Sequence, residues 1–234
     1  MTLHLLDESL RFPDPSLAEP EGLLAIGGDL SPRRLLLAYH QGIFPWFGPG
    51  QPLLWWSPDP RMLLFPGEMR ITKSLLRVLR SAKTTVTSDE AFSRVIHACS
   101  QTPRSGQNGT WITLDMVRAY EDLHAQGYAH SFEVWYEGEL AGGLYGVCQG
   151  GTFFGESMFS RQRDASKVAF AWMEQLALAW GLQMIDCQLP TNHLASLGAR
   201  PVPRGEFLTR LAAANRLPTR QGSWVGALKG LPGF

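Results

Sequence analysis

Two carboxylates stand where the sequence is otherwise apolar, and they are the first candidates for chemistry. Met184-Ile185-Asp186-Cys187-Gln188 reads as a short strand. Alternation with period two then puts Asp186 and Gln188 on one face. Glu156 sits in the run FFGESMFS, again among apolar neighbours. A carboxylate in such a setting is either a hydrogen-bonded anchor, in Asp186's case for the helix that follows, or a group held for proton transfer or for gripping a cation; left unpaired there it would be costly. Other chemistries lack their signatures. The six histidines are scattered without metal-ligand spacing, so no metal is expected. No nucleophile elbow or Walker loop is present, and the glycine pairs at 27–28 and 142–143 are too short to cradle a phosphate, fitting turns and close backbone crossings instead.

The elements that must position these residues follow from punctuation and period. Residues 12–66 are dense in proline, glycine and tryptophan and read as turns around one short helix, capped by Ser31, opened by Pro32 and ended by Gly42, with Trp46, Phe47, Trp55 and Trp56 as packing. A second helix is expected over 71–82, a third after Asp89, and a fourth from Thr113 as cap to Gly127 as terminator. From Ala129 the period becomes two: HSFEVWYE, a Glu137-Gly138 turn, ELAGGLYGVCQ and GTFFGESMF predict a three-stranded antiparallel meander. An amphipathic helix over 165–180 ends at Gly181 and leads into the Asp186 strand, and a last helix runs from Thr191 or Asn192 through Leu197. The pattern is α+β, helices on a mixed sheet.

The chain has 234 residues, 44% hydrophobic and 18% charged, which suits a compact globular protein and excludes extended disorder. Cys99, Cys148 and Cys187 suggest neither disulfides nor a zinc site, and no signal peptide or membrane span is legible, so a cytoplasmic protein is expected. Formal net charge is zero, but the nets over residues 1–60, 61–104, 105–160 and 161–234 are −4, +5, −6 and +5. Opposed blocks of this kind create local potentials hidden by the total. Arg70, Lys73, Arg77 and Arg80 fall at helical spacing and make one basic stripe, with Lys83 just beyond; it is either a solvated face or a seat for a polyanion.

The ordered strings GLLAIGGDLSP, GIFPWF, WWSPDPR, GTWIT, AHSFEVW, GGLYGV, FFGESMFSR, ASK, IDCQ and HLASLGA together resemble the leucyl/phenylalanyl-tRNA–protein transferases, over about residues 20–200. The resemblance implies a small N-terminal domain, residues 1–62, followed by a catalytic domain similar to the GNAT acyltransferases, residues 63–234. It implies transfer of Leu or Phe, with Met also a candidate, from aminoacyl-tRNA to proteins beginning with Arg or Lys, creating a degradation signal of the bacterial N-degron pathway. No cofactor is called for.

By the same resemblance Asp186 and Gln188 orient, or help deprotonate, the attacking amine, and Glu156 fixes an amino group or the acceptor's basic side chain. A donor side chain unbranched at Cβ needs a deep apolar pocket, for which Leu144, Phe153, Met158, Phe170, Met173 and Ile185 are candidates, with Trp111 at the rim; core packing explains the same residues. The stripe Arg70, Lys73, Arg77, Arg80 and Lys83 is the expected tRNA seat. The balanced charge and self-contained architecture suggest a monomer. Two other readings compete: an RNA-binding module without catalysis, which leaves Asp186 unexplained, and an acetyl-CoA-dependent N-acetyltransferase, whose pyrophosphate loop needs a glycine that SRQRDASK lacks.

Overall fold

The computed structural model describes residues 4–102 and 111–234. Residues 1–3 and Gly109-Thr110 of the GTWIT string lie outside them. The N-terminal part holds strands β1 (His4–Leu6) and β2 (Leu23–Gly27), helix α1 (Pro32–His40), and strands β3 (Phe44–Pro45) and β4 (Leu54–Trp56). α1 matches its punctuation: Ser31 Oγ accepts from Arg34 N, and Pro32 opens the helix. Gly42 adopts φ +76°, and a Cβ there would stand 2.7 Å from the Phe207 ring.

Where turns alone were expected around α1, the four short strands form a sheet in the order β1-β2-β4-β3. Two to five residues between prolines and glycines are too few to show alternation, so their pairing is not visible locally. Their register is fixed by tryptophans that keep their indole N–H satisfied: Trp55 Nε1 donates to the Gly27 carbonyl at 2.9 Å and Trp56 Nε1 to the Trp46 carbonyl at 2.6 Å.

The chain then builds the main sheet: β5 (Arg61–Leu64), helix α2 (Lys73–Leu79), β6 (Thr84–Ser88), helices α3 (Phe92–Gln101) and α4 (Leu114–Ala125), β7 (Ala129–Tyr136), β8 (Glu139–Gln149), β9 (Thr152–Ser160), helix α5 (Ala165–Ala179), β10 (Met184–Gln188), helix α6 (Asn192–Ser196), β11 (Arg200–Val202) and helix α7 (Arg204–Ala214). Seven strands run in the order β11-β5-β10-β9-β8-β7-β6. The meander β7-β8-β9 is antiparallel as expected, with Glu137 and Gly138 both at positive φ in the turn. β10 pairs parallel with β9 across the α5 connection and antiparallel with β5, so the sheet is mixed and the α+β class holds.

α2 is shorter than the expected 71–82, because Thr72 caps its start and the chain turns after Arg80 to enter β6. The glycines of β8 permit close crossings: a Cβ at Gly142 would lie 2.5 Å from that of Ala165 on α5. Each face of the sheet carries an apolar layer. One contains α5 with Met62, Leu64, Phe132, Phe153 and Ile185; the other contains α1, α3, α4 and α7 with Leu63, Tyr145, Phe154 and Met184.

Candidate active site

At the end of β10 the register slips between Asp186 and Gln188, and Gln188 takes the left-handed conformation, φ +63°. That bend turns the Gln188 side chain away from the regular strand face and into a cavity. Asp186 is fully buried. Its Oδ1 accepts from Arg61 Nε at 2.9 Å and from Gln188 N at 2.9 Å, and its Oδ2 accepts from Arg61 Nη2 at 2.7 Å. Arg61, equally buried, uses Nη1 on the Gly42 carbonyl at 3.1 Å, and its guanidinium lies 4.7 and 4.6 Å from the ring centres of Phe44 and Phe207. The charge that looked anomalous in an apolar strand is therefore matched by a second one in RMLLF, in a two-pronged geometry that only guanidinium offers.

Glu156, on β9, takes the remaining polar groups. Gln188 Nε2 donates to its Oε1 at 2.7 Å and Tyr120 Oη donates to its Oε2 at 2.9 Å. Since Tyr120 spends its proton on Glu156, Tyr39 Oη donates in turn to Tyr120. Burial pushes the Glu156 carboxyl up to about 7, with the Asp186 charge adding to the rise, against the lowering effect of the Tyr39 and Tyr120 hydroxyls beside it and of the hydrogen bond from Gln188. Burial likewise raises both tyrosines well above 10, so they act as donors at neutral pH.

Glu156 and Gln188 line a cavity of about 650 Å³, with the two tyrosines buried behind them. Its wall is largely apolar: Leu144, Phe153, Met158, Phe170 and Met173 from the sheet and α5, Phe44, Pro45 and Trp46 from the N-terminal part, and Trp111 before α4. Thr191, His193 and Leu194 bring the start of α6 to its edge. Cys187 also lines it, but burial, then the Asp186 charge, lifts its thiol well above the usual range, which removes it as a nucleophile. Partial burial, then the Lys167 charge, lowers the His193 imidazole below its ordinary range.

Of the residues expected at the site, Glu156, Gln188, Leu144, Phe153, Met158, Phe170, Met173 and Trp111 converge on the cavity. Asp186 and Ile185 are fully buried and do not line it: Asp186 faces Arg61, while Ile185 points to the opposite face of β10 and packs in the α5 layer. Sequence reasoning missed Arg61, Tyr39 and Tyr120. For Arg61 a signal existed, a lone cation in an apolar strand to match the lone anion of β10. The tyrosines sit in ordinary amphipathic helices and carried none.

The basic stripe is exposed throughout. Arg80 Nε donates to the Phe234 carbonyl at 2.9 Å and Lys83 pairs with Glu137 at 2.7 Å, both on the surface. Arg70 is tied to the end of α6, its backbone N–H donating to the Leu197 carbonyl at 2.8 Å. Among the described residues no group of His, Cys, Asp and Glu could hold a metal ion, and no helix is long and apolar enough to cross a membrane.

The family model described as leucyl/phenylalanyl-tRNA protein transferase matches residues 63–212, and that of its N-terminal domain matches residues 28–59. Among relatives named leucyl/phenylalanyl-tRNA–protein transferase, the protein of Anaeromyxobacter sp. (strain Fw109-5) is 55% identical, over 96% of this chain and 95% of its own. That of Anaeromyxobacter dehalogenans (strain 2CP-C) is 54% identical over 99% and 100%, and that of Nitratidesulfovibrio vulgaris (strain DP4) is 52% identical over 96% of each. A solved GCN5-related N-acetyltransferase from Kribbella flavida superposes with a TM-score of 0.39 and 12% identity over 73% of this chain and 60% of that one, too slight a likeness to carry an argument. With a model spanning most of its sequence and near full-length relatives more than half identical, the chain belongs to the leucyl/phenylalanyl-tRNA–protein transferase family and is an aminoacyltransferase.

Proposed function

We propose that this protein moves Leu, Phe or Met from aminoacyl-tRNA to the α-amino group of proteins beginning with Arg or Lys, marking them for degradation, and that it acts as a monomer in the cytoplasm. The observation that carries the reading is the pairing of a deep apolar cavity with a single carboxylate, Glu156, at its floor. An apolar side chain is drawn into the cavity by burial, and the carboxylate grips an amino group beside it. In this reading residues 1–62 form a small domain that closes the cavity through Phe44, Pro45 and Trp46, and residues 63–234 supply the catalytic sheet, apart from Arg61 and Met62, which open β5.

The acceptor amine attacks the ester carbonyl that joins the amino acid to the terminal ribose. A carbon–nitrogen bond forms, the carbon–oxygen bond to the ribose breaks, and a proton passes from nitrogen to the departing ribose oxygen. An ester is already activated toward amines, so positioning supplies much of the rate. Gln188 keeps a carbonyl oxygen for the amine N–H while its Nε2 is spent on Glu156. Asp186 is a positioning residue: with both oxygens engaged by Arg61 and by Gln188 N, it sets the bend that aims Gln188. The stripe Arg70, Lys73, Arg77, Arg80 and Lys83 holds tRNA phosphates.

Transfer of radiolabelled leucine from Leu-tRNA to a peptide beginning with Arg, and not to one beginning with Asp or with an acetylated terminus, is the expected result. Absence of transfer beside active controls overturns the reading, and tRNA binding without transfer would favour a binding module.

A further inference from the structure

The cavity has a second wall behind the one that a substrate touches. Phe153 and Met173 line the cavity and, together with Leu176, Ala177, Trp180, Leu182 and Trp224, also enclose a gap too narrow for a water molecule. One wall of that gap is Trp224, from the segment after α7. Its indole stacks on the His130 ring with centres 3.5 Å apart and planes 4° from parallel, meets Trp180 edge-on at 4.8 Å, and lies 6.1 Å from the Phe153 ring.

Trp224 is unusually well anchored for a residue outside regular structure. Its backbone N–H donates to Asp89 Oδ2 at 2.8 Å, its carbonyl accepts from Ser88 Oγ at 2.5 Å, and Nε1 donates to the Arg220 carbonyl at 2.9 Å. Asp89 is tied in turn to His130 Nδ1 at 2.9 Å and to Ser131 N at 3.0 Å. Met173 is the opposite kind of neighbour, an unbranched thioether that re-packs at low cost, with vacant space behind it.

We propose that Trp224 is a specificity-determining residue: it is the fixed backstop that limits how far Met173 and Phe153 retreat when a donor side chain enters, and so divides the enzyme's preference between Leu and the longer Phe. Trp224 touches no substrate and acts only through those two side chains. The inference rests on the reading that the cavity holds the donor side chain.

The test is competition between equal concentrations of Leu-tRNA and Phe-tRNA for one peptide beginning with Arg, read as the ratio of the two products. Trp224→Leu removes the backstop, and the Phe to Leu ratio rises about tenfold, the usual discrimination for such a difference in an apolar pocket. Ala177→Leu fills the gap from α5 and leaves Trp224 itself in place, and the ratio falls by a similar factor; this variant keeps the idea testable if Trp224→Leu folds poorly. A purely structural role lowers both products together and leaves the ratio unchanged in both variants, which overturns the proposal. A ratio moved by Ala177→Leu but not by a folded Trp224→Leu overturns it as well. Leu144→Phe, on the cavity wall itself, separates the two readings: if it shifts the ratio and the others do not, the backstop fails alone, whereas if none of the three shifts it, the cavity is not the donor pocket.

Discussion

Arg61 closes both oxygens of Asp186, with Nε and Nη2 at 2.9 and 2.7 Å, and neither side chain reaches solvent. A pair this dry is costly to break from one side only, because the survivor is a buried charge without a partner. Arg61→Met or Asp186→Leu alone should destabilise the protein by about 3–5 kcal/mol, and the double variant should recover most of that loss. Urea unfolding midpoints check it; losses that simply add in the double variant would show that the ions are not coupled.

Transfer should follow the pair for a different reason. Asp186→Asn keeps the shape of the side chain but can no longer accept from both Arg61 and Gln188 N with full charge, so the bend at Gln188 loosens. Transfer rate should drop with tRNA affinity nearly intact. A parallel loss of tRNA binding would mean that Asp186 acts on the fold at large and not on Gln188.

Glu156 gives the protein a pH signature of its own. Its carboxyl titrates near 7 when folded and near 4.5 otherwise, so between those values the folded state binds more protons than the unfolded one. Its contribution is fully present below pH 4.5 and is lost as pH rises toward 7, a fall of about 3 kcal/mol. Glu156→Gln removes that fall. The difference in unfolding free energy between the two proteins, followed from pH 4.5 to 8, should therefore slope downward for the native carboxylate; a flat difference would refute the raised titration.

Tyr120→Phe should move that titration upward. Tyr120 Oη donates to the ionised carboxylate, and removing the donor disfavours the charged form. The Glu156 titration, read by carboxyl nuclear magnetic resonance, should lie above its native value. No change would mean that the Tyr39 hydroxyl or a solvent molecule takes the place of the phenol.

The basic stripe divides into free and engaged members. Arg80 and Lys83 already meet the Phe234 carbonyl and Glu137, whereas no such side-chain partner is seen for Lys73 or Arg77 among the described residues. Lys73→Ala with Arg77→Ala should weaken tRNA binding and reduce the steepness of its salt dependence by about 0.7–0.9 per lost phosphate contact. An unchanged slope would remove this face of α2 from the interface.

How much of this was legible depended on whether the determining signal was local. Thr113 and Gly127 bracket α4, Ser31 and Pro32 open α1, and strict alternation marks β7 to β9, so those elements are readable residue by residue. β3 and β4 are not, since two and three residues carry no period and gain strand character only from each other. α7 starts after Pro203 with no capping side chain, and residues 198–214 offered nothing distinctive. In the site, Glu156, Gln188 and the apolar lining were foreseeable because polar groups in apolar runs stand out. The split between Asp186, behind the site, and Gln188, in it, was not, because a one-residue bulge after Asp186 breaks the alternation that would put both on one face.

β5 lies between β11 and β10 inside the main sheet, although it is drawn from the sequence immediately after the small sheet. On the other side of the cavity, Trp224 comes from beyond α7. Most of the sequence therefore has to leave the ribosome before Arg61 can meet Asp186 and before the pocket has its rear wall. A nascent copy that stops before β10 has neither a seated Gln188 nor a bounded pocket, so it is poorly equipped to spend charged tRNA or to tag proteins indiscriminately.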